Sequence, residues 1–234
     1  VTAAREITVR DLLTHTSGLV SGPPSTQELL KNPREPEETL ALFVPRLAAL
    51  PLEFQPGTRW SYSASAGFDT LGRIIEITSG MTLAQFFQQR IFGPLGMKDT
   101  FFGPASDSAR IAPIYEKKGG TLTRQPVTDP RFLPGNVYYS GGGGLTSTTE
   151  DYLRFGQMLA AGGEGNGHRL LAPASIDLLR AAHIPDTLPG RTPGTGYGLG
   201  VRVITDRGAA GTMLSTGSYG WSGAFGTLFW VDPK

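Results

Sequence analysis

Trp60-Ser61-Tyr62-Ser63-Ala64-Ser65-Ala66-Gly67-Phe68-Asp69-Thr70-Leu71-Gly72-Arg73-Ile74-Ile75-Glu76 sets a tyrosine on a loop of small residues that runs straight into a helix. Phe68, Leu71, Ile74, Ile75 and Thr78 recur at helical spacing, and Gly80 stands where such a helix would stop. The serine and alanine neighbours are too small to cover the phenol of Tyr62, which places it toward a cleft rather than a core. Beside a cation that lowers its pKa from the reference of about 10, such a phenol can trade a proton. Taken alone, Tyr62 is either an acid–base group or a half-buried packing residue.

Working outward, the loop is preceded by Ile7-Thr8-Val9-Arg10-Asp11-Leu12-Leu13-Thr14-His15-Thr16-Ser17-Gly18-Leu19. It is followed by Ser140 to Ser147 (SGGGGLTS) and Tyr219 to Thr227 (YGWSGAFGT). This ordered set resembles the serine β-lactamase and penicillin-binding-protein superfamily, nearest the class C-like branch with family VIII esterases and DD-peptidases. The resemblance covers almost the whole chain. It implies an α+β fold, with an antiparallel sheet flanked by helices and a mostly helical region beside it. It also implies that Tyr62 is catalytic, as general acid and base.

Members of that superfamily carry a nucleophilic serine and a lysine one helical turn later, Ser-x-x-Lys, so that the ammonium assists deprotonation of the hydroxyl. Here Lys31, Lys98, Lys117, Lys118 and Lys234 are preceded at the third position by Glu28, Leu95, Ile114, Tyr115 and Val231. The family's motif lies before the HTSGL string. The resemblance therefore implies a longer enzyme whose N-terminal Ser-x-x-Lys segment and C-terminal helix lie outside these 234 residues.

Trp221-Ser222-Gly223-Ala224 is the third cleft element that the resemblance implies, and these four are the candidate substrate-binding residues. Relatives begin this strand with Lys-Thr-Gly or His-x-Gly, where a cation or donor holds a substrate carboxylate. Tryptophan cannot play that role, which favours a neutral ester and resembles the esterase branch. The bland alternative for Trp221 is an aromatic filling a sheet edge. Gly223 would let a ligand approach the strand, and the Ala224 N–H is where the resemblance puts an oxyanion-hole donor. The asparagine that often follows the family's tyrosine by two residues is replaced by Ala64, with Ser65 next. A one-residue difference in spacing between Tyr62 and Leu71 leaves open which small residue takes its place.

Composition bounds the other functions. With 21 basic and 20 acidic residues, net +1, there is no field to recruit nucleic acid or an anionic membrane. Zero cysteines exclude a disulfide framework, a thiolate nucleophile and a cysteine zinc site. No apolar run reaches the roughly 18 residues that span a bilayer, and no signal peptide is visible, so export stays open. Neither a metal nor an organic cofactor is implied. The 32 glycines are about twice the average share of roughly 7%, which means tight turns between periodic segments.

In chain order, Val9 to Leu13 reads as a short apolar turn, with Gly18 supplying a positive φ after it. His15 reads as a structural hydrogen-bonder, with general-base work as the alternative. Ser21 to Glu38, including Arg34-Glu35-Pro36-Glu37-Glu38, reads as a surface excursion, and Leu40 to Leu50 as a helix broken or begun near Pro45. Thr82-Leu83-Ala84-Gln85 has capping-box spacing, with Leu83, Phe86, Phe87 and Ile91 as the buried face and Gly93-Pro94-Leu95-Gly96 as the end. Phe102 to Asn136 is loop-rich, with Gly119-Gly120 turning between extended pieces at Ile114 and Leu122. The glycines after Ser140 lack a Walker lysine and an incoming strand, so they mark close packing rather than a phosphate loop.

Ser147-Thr148-Thr149-Glu150 reads as a second capping box, with Tyr152, Phe155 and Leu159 along one helix face. A shorter helix starts near Pro173 with Ile176 and Leu179 buried. Tyr197, Leu199, Val201 and Val203 alternate as in one strand, Thr212 to Tyr219 is turn-rich, and Ala224 to Val231 reads as a strand covered on both faces. The expected division is 1–139, mostly helical with the tyrosine loop, and 140–234, mixed α/β with the Trp-Ser-Gly strand. The expected activity is cleavage of a small-molecule carboxylic ester through an acyl-enzyme. A β-lactamase or D-alanyl-D-alanine carboxypeptidase, and a non-catalytic binding relative, are the alternatives. A Ser-His-Asp hydrolase is a poorer choice, because Gly220-Trp221-Ser222-Gly223-Ala224 misses the G-x-S-x-G elbow at its last position.

Overall fold

The computed structural model describes residues 3–22, 25–35, 37–63, 65–103 and 108–234; Ala64, the Pro36 of the charged run and part of the Phe102–Asn136 loop lie outside the described residues. In chain order come α1 (Val9–Leu13), α2 (Ser25–Lys31), α3 (Leu40–Ala48), α4 (Ala66–Ser79), α5 (Leu83–Phe87), a π-helical turn (Gln88–Phe92) and α6 (Gly93–Leu95). Next are β1 (Phe101–Phe102), β2 (Ile114–Lys118), β3 (Thr121–Gln125), β4 (Leu145–Thr146), α7 (Thr149–Ala160), β5 (Glu164–Gly165), β6 (His168–Arg169) and α8 (Pro173–Arg180). The chain ends in β7 (Thr195–Tyr197), β8 (Arg202–Ile204), β9 (Tyr219–Ser222) and β10 (Leu228–Val231). The last four form an antiparallel sheet in the order β10-β9-β8-β7, beside three two-stranded pairs among the described residues. This is the mixed α+β architecture that the resemblance implies. Among the described residues, no helix is long and apolar enough to cross a membrane.

The sheet packs on α7 and α8 through Met158, Leu159, Ile176, Val203, Tyr219 and Val231, joined by Phe92, Leu95 and Met97. A second core joins Leu12 of α1, Leu47 of α3 and Ala66 of α4. The tyrosine loop thus enters α4 where that helix is buried against α1 and α3. Gly80 ends α4 at φ 69°, and Thr82 and Gln85 form the reciprocal cap of α5.

Several local readings are corrected. Residues Val9–Leu13 form a helix, not a turn, because Thr8 and Asp11 make a reciprocal capping box. Helix α3 runs unbroken through Pro45. A mid-helix proline costs about 3 kcal/mol. Burying Leu40 and Leu47, 1% and 2% exposed, returns roughly 1.5–3 kcal/mol each. The π-helical turn rotates the face after α5, so that Phe92 and Leu95 enter the core while Phe86 is only half-buried. The cap of α7 is Thr148, accepting from the Asp151 N–H, rather than Ser147. The Ser147 hydroxyl is engaged instead with Thr100, at 2.8 Å.

The run from Tyr197 to Ile204 is a hairpin and not one strand. The Gly198 N–H donates to the Val201 carbonyl at 2.8 Å, and Gly200 turns at φ 82°. Residues 223–227 are a turn, so the apolar run from Ala224 shrinks to β10 at the sheet edge, with Leu228 76% exposed. Apolarity alone does not separate a covered strand from an edge strand led in by a turn. The β2–β3 hairpin with Gly119 and Gly120 at positive φ is as expected.

Candidate active site

The main chain around Tyr62 is held on each side. The Trp60 N–H donates to the Pro189 carbonyl (3.0 Å), and the Ser61 N–H donates to the His15 carbonyl (3.1 Å). The Ser63 N–H donates to His15 Nδ1 (3.3 Å), and Ser63 Oγ accepts from the Gly67 N–H (3.3 Å) in the first turn of α4. The Tyr62 side chain is left 41% exposed on this rigid support.

Trp221, at the end of β9, meets Tyr62 with ring centroids 5.2 Å apart. His15 sits beneath them, 4.8 Å from the Tyr62 ring and 6.4 Å from that of Trp221. Phe68 and Tyr197 close the cage around the imidazole at 5.2 and 5.0 Å. Ser222 and Gly223 continue from Trp221 to an exposed turn holding Ala224. The structure therefore brings Tyr62 and Trp221 together, with Ser222, Gly223 and Ala224 leading away along the hairpin. Gly223 also packs within the turn itself. Its N–H donates to the Thr227 carbonyl (2.8 Å), and a Cβ there would lie 2.1 Å from the Thr227 hydroxyl oxygen.

The electrostatics separate three neighbouring groups. Burial lowers the His15 imidazole from its ordinary 6.5 to about 4, so it is neutral near pH 7. Burial pushes the Tyr197 phenol well above the usual value, the Tyr62 phenol adds to that shift, and Arg202 opposes it. The Arg202 guanidinium lies 4.8 Å from the centre of the Trp221 ring, a cation–π contact. Tyr197 is thus locked as a neutral phenol inside the cage, whereas Tyr62 is the phenol that reaches solvent.

His15, Tyr197 and Arg202 escaped the sequence reading as parts of this cluster. Their convergence depends on the β7–β8 hairpin folding back against α1, where the Gly200 N–H donates to the Leu13 carbonyl at 2.9 Å. The one local signal was a histidine inside a turn that needs positive φ: His15 itself has φ 55° and Gly18 φ 79°.

The glycine loop after Ser140 is packed, as its sequence suggested. A Cβ at Gly141 would fall 2.1 Å from the Phe68 carbonyl oxygen. Asp69, 1% exposed in the first turn of α4, accepts from Tyr138 Oη (2.7 Å), Ser140 Oγ (2.6 Å) and the Gly142 N–H (3.4 Å). The loop is thereby tied to the helix that the tyrosine loop enters.

The chain matches the Beta-lactamase family over residues 1–234. It is 37% identical over 249 residues to Protein Rv1367c of Mycobacterium tuberculosis (strain ATCC 25618 / H37Rv), a match covering 99% of this chain and 61% of that protein. It is 30% identical over 252 residues to Esterase EstB of Burkholderia gladioli, covering 97% of this chain and 62% of that protein. The solved structure of EstCE1, a hydrolase with promiscuous acyltransferase activity, has a TM-score of 0.81 and 28% identity, covering 97% of this chain and 64% of that one. The chain thus spans about three fifths of the length of these relatives. Matched from end to end and sharing the EstCE1 fold, the chain belongs to the Beta-lactamase family.

Proposed function

We propose that the complete polypeptide is a serine hydrolase that cleaves carboxylic esters through an acyl-enzyme, with Tyr62 as general acid and base. One observation carries the reading: the half-exposed Tyr62 ring lies 5.2 Å from Trp221, on a backbone held on both sides. Support also comes from EstB and EstCE1, whose names describe an esterase and a hydrolase.

In this reading a serine and its lysine come from polypeptide outside these residues. The serine hydroxyl gives its proton to the lysine–Tyr62 pair as its oxygen attacks the ester carbonyl carbon. The Ala224 N–H and the serine's own N–H stabilise the oxyanion. Collapse breaks the bond to the leaving oxygen, which takes its proton from Tyr62. Water then attacks the acyl-serine, releases the acid and restores the hydroxyl. Trp221 and Ser222 border the substrate.

Tyr62→Phe in the complete polypeptide should lower kcat for p-nitrophenyl butyrate on the order of a hundredfold or more. A variant that keeps most of its turnover removes the assignment. A fluorophosphonate adduct on the same protein tests for the nucleophile independently.

A second reading rests on Arg202. Its guanidinium, 4.8 Å from the Trp221 ring, brings a cation beside the position where relatives hold a substrate carboxylate. That favours a β-lactamase or D-alanyl-D-alanine carboxypeptidase, and faster hydrolysis of nitrocefin than of p-nitrophenyl butyrate would select it.

A further inference from the structure

We infer that His15 is a positioning residue for Tyr62, gripping the main chain on both sides of it, an inference that rests on the acid–base role proposed for that tyrosine. Two neighbouring amides converge on one residue. The Ser61 N–H donates to the His15 carbonyl at 3.1 Å, and the Ser63 N–H donates to His15 Nδ1 at 3.3 Å. The imidazole edge meets the Tyr62 ring at 4.8 Å and 71°, so loop and side chain are held by the same residue.

Only the Ser63 bond depends on the identity of residue 15, because any residue supplies a carbonyl. Nδ1 accepting from Ser63 assigns the proton of the neutral ring to Nε2. That N–H is buried without a hydrogen-bond acceptor among the described residues, enclosed by aromatic rings. A buried donor left without an acceptor destabilises the fold, because water satisfies it in the unfolded chain. A non-glycine residue at positive φ adds backbone strain that persists only where the surroundings force it. His15 carries both features at φ 55° and 1% exposure, and asparagine is the residue that would relieve the backbone strain while keeping an acceptor. Two costs at one side chain, next to the proposed acid–base group, are the signature of a residue kept for placement.

The site already has a rigid frame on its other side, where Asp69 ties α4 to the Ser140 loop. His15 is the corresponding tie toward α1, where its N–H donates to the Leu12 carbonyl at 3.4 Å. Loss of its acceptor frees the Ser63 amide and lets the phenol rotate away from Trp221. A displacement of about 1 Å at a catalytic group can cost up to a hundredfold in rate.

The test is a double-mutant cycle on the complete polypeptide with p-nitrophenyl butyrate. His15→Ala should lower kcat about tenfold or more with KM within about twofold, and His15→Asn, which retains an acceptor, should recover most of the loss. Combined with Tyr62→Phe, His15→Ala should cost little further, because its effect passes through the tyrosine. Full additivity in the cycle, a loss confined to KM, or His15→Asn as impaired as His15→Ala overturns the inference. If His15→Ala does not fold, His15→Leu, which fills the cage without an acceptor, takes its place in the cycle. Retained turnover in Tyr62→Phe alone refutes the acid–base reading instead and takes this inference with it.

Discussion

Tyr138→Phe deletes one oxygen from the buried carboxylate site that fixes the Ser140 loop to α4. The ring itself stays packed, 5.5 Å from Phe43 and beneath the Arg34 guanidinium at 4.4 Å, so the substitution isolates the hydroxyl. Burial, then the charge of Asp69 and the hydrogen bond to it, push the Tyr138 phenol far above its ordinary value, so it remains a donor at every working pH. A hydrogen bond to a charged acceptor is worth about 1.5–3 kcal/mol. At 1% exposure, Asp69 has little water to replace the lost donor, which puts the expected cost at about 2 kcal/mol. In a chain of this size that is a fall in Tm of roughly 4–8 °C. Urea unfolding at pH 7 should show a lower midpoint with an unchanged m value. Ser140→Ala removes the second donor to the same carboxylate, so the double variant should depart from additivity by at least about 0.5 kcal/mol. Tyr138→Phe within about 0.5 kcal/mol of wild type would refute the reasoning, since surface substitutions lie in that range.

Because burial depresses His15 to about 4, the unfolded chain takes up its proton first as pH falls below about 6.5. Stability from this residue is complete above pH 6.5 and is lost progressively toward pH 4, about 3 kcal/mol over the window. Urea midpoints between pH 7.5 and 4.5 should therefore fall more steeply for wild type than for His15→Asn, and parallel curves would refute the assignment. Gly141→Ala should destabilise by about 1–3 kcal/mol, because its Cβ would enter the space of the Phe68 carbonyl oxygen; an unchanged Tm would show that the loop can move away.

The helix that follows Tyr62 was legible because its signals are local: apolar spacing, Gly80 as stop and the Thr82–Gln85 cap act within a few residues of each other. The Gly119–Gly120 hairpin was legible for the same reason. What failed were readings that depend on a partner elsewhere. Ser147 looked like a cap until Thr100 claimed its hydroxyl, and the Ala224 run looked like one covered strand until a turn over 223–227 left only Leu228–Val231 as strand, with Leu228 exposed. His15 shows the same limit at the site. Its sequence neighbours give a turn with positive φ, but nothing in them says that its ring will lie between Tyr62 and Tyr197.

Helices α1, α4 and α7 begin on one shared device, and it explains how loops so rich in glycine are held. Each carries a buried aspartate in its first turn: Asp11, Asp69 and Asp151, at 6%, 1% and 2% exposure. The positive end of the helix favours a carboxylate there, but by no more than about 2 kcal/mol, too little to bury a charge. The remainder comes from hydrogen-bond donors gathered around each carboxylate. Asp11 takes two bonds from Arg5 and one from the Thr8 N–H; burial alone would raise its pKa, and these donors hold it well below the carboxylate range. Asp151 accepts from the Asp99 N–H, Thr100 and Arg154. Asp69 gathers Tyr138, Ser140 and Gly142. Asp11 is satisfied by its own flank, but Asp69 and Asp151 are satisfied only when a distant loop is in place, so for these two burying the charge and ordering the loop are a single event. Since α1 leads into His15 and α4 follows Tyr62, two of these three anchors set the floor on which the proposed acid–base group stands.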